Sequence, residues 1–233
     1  MTLQTSPKKI LAVLAATILF LLVANTTAVV MKLCLGHERV YGLVHLFNFN
    51  EECNVPTLFS SCLLIACALL LLLSAHLHRR AGSPWLGWAG LAFIMLFLAI
   101  DESSLIHEQL IGPVRETVGG SGLFYYAWVI PYGLATLLLL AACARLLARL
   151  PRRTALLFVG CGAIFVSGAI GFEMLSGIWD EDHGKDNLPY GFLFTCEETL
   201  EMSGIALFIY ALLSYLTRQF DGLTLKLGHD PPD

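Results

Sequence analysis

Residues 190–216 read YGFLFTCEETLEMSGIALFIYALLSYL. A helix that crosses a bilayer needs roughly 20 mostly apolar residues, because the hydrocarbon core is about 30 Å thick. The uninterrupted apolar part, 204–216, covers only roughly 20 Å at about 1.5 Å per residue. To span, the helix must therefore carry Glu197, Glu198 and Glu201 into the membrane with it. One stretch thus predicts both a spanning helix and acidic groups sheltered within it by something other than lipid.

Five other apolar runs accompany it, at about 10–33, 57–76, 84–107, 123–147 and 154–178. The chain is 57% hydrophobic and only 14% charged, where a soluble domain carries roughly 25% charged residues. Too little charge remains to cover a water-exposed globule, so lipid is the main solvent. The expected fold is all-α: a polytopic transmembrane bundle of six helices. It forms a single membrane domain over 1–233, with 217–233 as a flexible cytoplasmic tail. Lys8 and Lys9 before the first run resemble a secretory signal, with Thr26-Thr27-Ala28 as a cleavage site. Apolar character continues to Val30, which predicts a retained helix. The net charge of −4 comes without a basic cluster, so no nucleic-acid partner is expected.

Positive charge sets the orientation. With six spans and the N-terminus inside, the inner side holds Lys8, Lys9, Arg79, Arg80, Arg145, Arg149, Arg152, Arg153, Arg218 and Lys226. The outer side holds Lys32, Arg39, Arg115 and Lys185. The bias predicts both termini in the cytoplasm, in the inner (plasma) membrane, with the acidic segment Asp180-Glu181-Asp182-His183 outside.

Charged side chains within spans are costly and rare. Here helix 3 ends in Asp101-Glu102 and, further on, His107-Glu108; helix 5 carries Glu173; helix 6 carries Glu197, Glu198 and Glu201. Helices 3 and 5 run outward and helix 6 inward, yet all three sets fall in the outer half. At about 100° per residue, Asp101, Ser104 and Glu108 lie within about 60° on one face, with His107 about 60° further round. Glu102 points elsewhere. No Lys or Arg lies in an outer half-helix. Like charges in a low dielectric raise each other's pKa, so protons, a bound cation, or Arg115 or Lys185 folding in must neutralise the set. Polar side chains can also simply join helices through hydrogen bonds.

The ligand types favour a divalent metal ion. Asp101, His107, Glu108, Glu198 and Glu201 are the leading candidates, with Glu173 and Glu197 next, and Glu102 is a ligand or general base. With one central His the set is rich in oxygen, which suits Ca²⁺, Mg²⁺ or Mn²⁺ as well as iron or zinc. The Glu-x-x-His of di-iron bundles is absent. The segment 47–57 lies on the same side and could form a lid or supply Glu51 and Glu52, with Asn54 capping the next helix. Cys34 and Cys53 flank the first outer loop and could pair in an oxidising compartment; Cys62, Cys67, Cys143, Cys161 and Cys196 read as packing residues. His76 and His78 read as an inner-interface anchor, and His183 as solvated. Trp85, Trp88, Tyr125, Tyr126, Trp128 and Trp179 read as aromatic belts, and Ala163, Ser167 and Gly171 as a close-packing face.

Asn50–Ser61, Asp101-Glu102 with Ile106-His107-Glu108, and Glu197-Glu198-x-x-Glu201-Met202 together resemble a family of bacterial multi-pass membrane proteins with no established activity. That resemblance implies one shared site but supplies no reaction. A more distant resemblance is to polytopic metal-dependent lipid hydrolases, whose His-rich motifs are absent here. Three functions fit: a metal-dependent enzyme acting on a lipid or membrane-soluble substrate, an accessory or sensor subunit locked by a polar cluster, and a proton- or cation-coupled transporter. Membrane lipid is the expected partner in each.

Overall fold

The structure, a computed structural model, describes residues 6–220. The expected tail beyond Phe220, with Lys226, lies outside them. All regular structure among the described residues is helical. Helix α1 spans Pro7–Leu33, with Ser6 capping it and Pro at its start. The short α2 (Leu43–Phe47) leads to α3 (Val55–Arg80), whose first turn is capped by Asn54 accepting from the Thr57 N–H. Helix α4 (Leu86–Ser104) is followed by α5 (Ile106–Gln109) and α6 (Ile111–Val118), and α7 spans Val129–Arg149. Helix α8 (Arg152–Val166) passes through a π-helical turn (Ser167–Phe172) into α9 (Glu173–His183), and α10 runs Leu188–Gln219 from an Asn187 cap.

Six of these rods are long and apolar enough to cross a membrane: α1, α3, α4, α7, the continuous Arg152–His183 rod and α10. The chain is a six-helix membrane bundle. Helix α10 is its axis, packing on α1, α3 and α8, while α3 packs chiefly on α4. Helix α7 sits at the edge with most of its surface outward.

Several aromatic residues expected at a belt turn inward instead. Trp88 is buried and stacks with His78 and Tyr215, each at 5.1 Å between ring centroids. The Tyr215 hydroxyl also lies 2.8 Å from His78 Nε2. His78 is thus half-buried and packed between helices, in the last turn of α3. Tyr126 and Trp128 are buried at the opposite end. An amphipathic ring satisfies its polar atom equally well against a protein partner as against the membrane interface.

The close-packing face also differs from the expected one. A side chain on Gly171 would meet nothing. A Cβ on Gly168 would fall 2.7 Å from the Glu197 carbonyl oxygen, and one on Gly204 would fall 2.8 Å from the Phe165 nitrogen. These two glycines let α8 and the π turn lie against α10. The π turn carries more residues per turn than an α-helix, so a spacing of four no longer traces one face across 163–171. Cys34 and Cys53 are separate, exposed thiols.

Candidate functional site

Helix α4 does not continue to residue 107. It stops at Ser104 because Leu105 turns left-handed, at φ 56° and ψ 39°. A bulky residue there is strained by roughly 1–3 kcal/mol. The reversal lets Asp101 accept two contacts from the next helix. Its Oδ1 takes the His107 backbone N–H at 2.8 Å and lies 3.2 Å from His107 Nδ1. The wheel relating Asp101 to His107 and Glu108 therefore does not apply; a chain turn joins Asp101 to His107. Burial opposes charge on His107, but the hydrogen bond and charge of Asp101 outweigh it and hold His107 above its ordinary pKa.

Helix α7 supplies the wall opposite. The Trp128 ring lies 4.7 Å from that of His107, and its indole N–H donates to Glu173 Oε1 at 2.9 Å. One turn on, the Tyr132 hydroxyl is buried beside the Asp101 carboxyl. Trp128 and Tyr132 were missed as site residues. Their spacing of four on one helical face was the available signal; the aromatic-belt reading took Trp128 alone, and Tyr132 was given no role.

Glu173 opens α9 directly after the π turn. Its carboxyl comes within hydrogen-bonding reach of Glu197 from α10, an approach allowed by Gly168 beneath the Glu197 carbonyl. Two carboxylates keep such a contact only with a proton or cation between them. Glu198 and Glu201 follow on α10, with Glu102 and Glu52 among their charged neighbours.

The segment 47–57, expected as a lid, is tied down by hydrogen bonds to α1 and within itself. Asn25, fully buried in α1, accepts from the Phe49 N–H at 2.8 Å and donates to Thr195 Oγ1 at 2.8 Å. Asn54 donates to the carbonyls of Asn48 and Glu51, each at 2.7 Å. Glu51 is neutralised by Lys32 at 3.4 Å and lies 3.3 Å from His45. Glu52 has neither partner. Burial, reinforced by Glu108, pushes its carboxyl up to about 7.

The acids, His107, Trp128 and Tyr132 line one cavity of about 940 Å³ at one end of the bundle. Asp101, Glu102, His107 and Glu108 come from α4 and α5, Glu173 from α9, and Glu197, Glu198 and Glu201 from α10; Glu51 and Glu52 close it from the lid. Of the two basic residues considered as counter-charges, Lys185 lines the cavity and reaches Asp180 at 4.0 Å. Arg115 does not: it donates to the Tyr125 carbonyl and lies over the Tyr125 ring. A shared wall is not a shared point. Among the described residues, no three His, Cys, Asp or Glu side chains converge as a preformed metal cage. Glu173 and Glu197 meet as a pair, and the other acids are spread around the chamber wall.

No match is found among curated proteins or among solved structures. A family model described as "Domain of unknown function (DUF8692)" matches residues 7–216, nearly the whole described chain.

Proposed function

We propose that this chain, which belongs to that family of unknown function, binds a divalent cation in its acidic chamber and acts there on a lipid-like substrate. One observation carries the reading: ionisable side chains from four separate helices and a tethered loop face a single chamber. Bare like charges a few ångströms apart in a low dielectric repel strongly, so the chamber favours a positive occupant. A divalent ion satisfies several carboxylate oxygens at once. Asp101, His107, Glu108, Glu198 and Glu201 are the proposed ligands, with Glu173 and Glu197 beside them. Long glutamate side chains have the rotamer freedom, and the chamber the space, to close on an ion. A bound divalent ion would polarise a coordinated water and lower its pKa, to near neutral where the ion is zinc, and Glu102 is the proposed general base for that proton. By the positive-inside bias the chamber faces the exterior.

The contact between Glu173 and Glu197 favours a second reading, in which acids hold protons. They would then lock the bundle of an accessory or sensor subunit, or carry protons in transport. Elemental analysis of the purified protein separates the two. The expected result is a stoichiometric divalent ion, with affinity reduced about 10–100-fold in Asp101→Asn and a comparable loss in Glu198→Gln, at unchanged helical content. A wild-type protein that stays metal-free under saturating Ca²⁺, Mg²⁺, Mn²⁺, Fe²⁺ and Zn²⁺ would overturn the cation reading. Proton flux in liposomes would then favour transport.

A further inference from the structure

The chamber does not end at its acids. Through Leu98, Thr136, Leu139, Gly162, Phe165 and Val166 it shares a wall with a second cavity of about 410 Å³. This one runs between α4, α7, α8 and α10 and is lined by aliphatic, aromatic and thiol side chains. Its single hydroxyl, on Thr136, is turned back onto the Tyr132 carbonyl at 2.8 Å. Along α7 the lining extends from Thr136 to Leu147, about 17 Å at about 1.5 Å per residue. One leaflet of a hydrocarbon core is roughly half of 30 Å, so the cleft has the length of one lipid chain. Its outer wall is α7, which touches α4 and α8 only lightly. Leu137 and Leu140 on that wall are 66% and 54% exposed, so the cleft opens sideways toward the membrane.

We propose that this cleft holds the hydrocarbon chain of an amphiphile whose head, uncharged or amine-bearing, occupies the acidic chamber. The inference rests on reading the chamber as a binding site and names the substrate class for it. Charge selects the head. One divalent ion would leave most of the acids uncompensated, so a phosphate or carboxylate head is repelled while an amine or hydroxyl is admitted. Burial of each methylene selects for a long chain.

The test uses the full chain in nanodiscs of zwitterionic lipid, with hexadecylamine bearing a photoreactive diazirine at the chain end. Crosslinks are expected on 136–147 and 158–166. Unlabelled hexadecylamine should compete at least about tenfold better than butylamine, given the methylenes it buries, and better than hexadecyl phosphate. Cys143→Trp on α7 and Ala163→Phe on α8 both fill the cleft, and neither residue lines the acidic chamber. Each should abolish the crosslinks while cation content and melting temperature stay unchanged, and two variants on facing helices guard against one that misfolds. Labelling spread over lipid-facing α1 and α3, or insensitive to both variants, overturns the cleft. Equal competition by hexadecyl phosphate overturns the head assignment. A metal-free protein that still labels the cleft and is blocked by Cys143→Trp sustains the chain site and removes only the cation.

Discussion

Asp101 shows how much one side chain settles. It is almost fully buried, caps the start of α5 through the His107 N–H, and orients the His107 ring from the same oxygen. The left-handed Leu105 between them is the strained element that makes this geometry possible. Asn25 has a similar role for the lid. An amide in the middle of an apolar helix is costly unless fully bonded, and Asn25 spends its oxygen on the lid and its nitrogen on α10. Replacing it with Leu leaves the buried Phe49 N–H without its acceptor. The expected loss is about 1–3 kcal/mol, seen as a lower melting temperature in detergent, with protease cleavage appearing within 48–54. An unchanged melt and an uncut loop would show that the lid is held by other contacts.

At the scale of elements, the π turn is the informative feature. Such turns insert an extra residue into a helix and recur at functional sites. Here the inserted residue re-aims everything after it by about 100° relative to an unbroken α-helix, and Glu173 is the first residue to follow. Deleting Ala169 should restore α-helical register and turn Glu173 away from Trp128. The check is the Trp128 indole N–H resonance, which should lose its hydrogen-bonded shift while helical content holds. A resonance matching the wild type would show that packing against α10, not the π turn, aims Glu173. The apolar run 154–178 was readable from hydropathy; the rod that contains it is longer, Arg152–His183, because it continues through the polar turn Asp180–His183. The bulge was not readable, because Ser167–Phe172 contains no proline or charge to mark it, only small and apolar residues that suit either helix.

Across the whole molecule, six apolar rods enclose a chamber at one end, with a narrower apolar cleft leading off it. The positive-inside bias predicts that this end faces out. Cys34 and Cys53 report on it directly, because both are exposed free thiols on the connection between α1 and α3. A membrane-impermeant maleimide should label them in right-side-out vesicles and not in inverted ones, and Cys34→Ser combined with Cys53→Ser should remove the signal. Labelling confined to inverted vesicles would reverse the topology and put the chamber on the cytoplasmic side.

Composition and run length by themselves determined that the chain is helical and lies in lipid, because a bilayer demands long uncharged runs and this sequence has six. Run length also determined that Glu197, Glu198 and Glu201 must enter the membrane, since the apolar remainder of their helix is too short. Tertiary structure alone decided that Asp101 holds His107, that Glu173 meets Glu197, and that Trp128 and Tyr132 stand opposite them. The physical reason is the same in each case. A left-handed residue and a π turn redirect side chains by angles that helical periodicity does not carry, and a cavity is the space left between helices, a property of their packing rather than of any one of them.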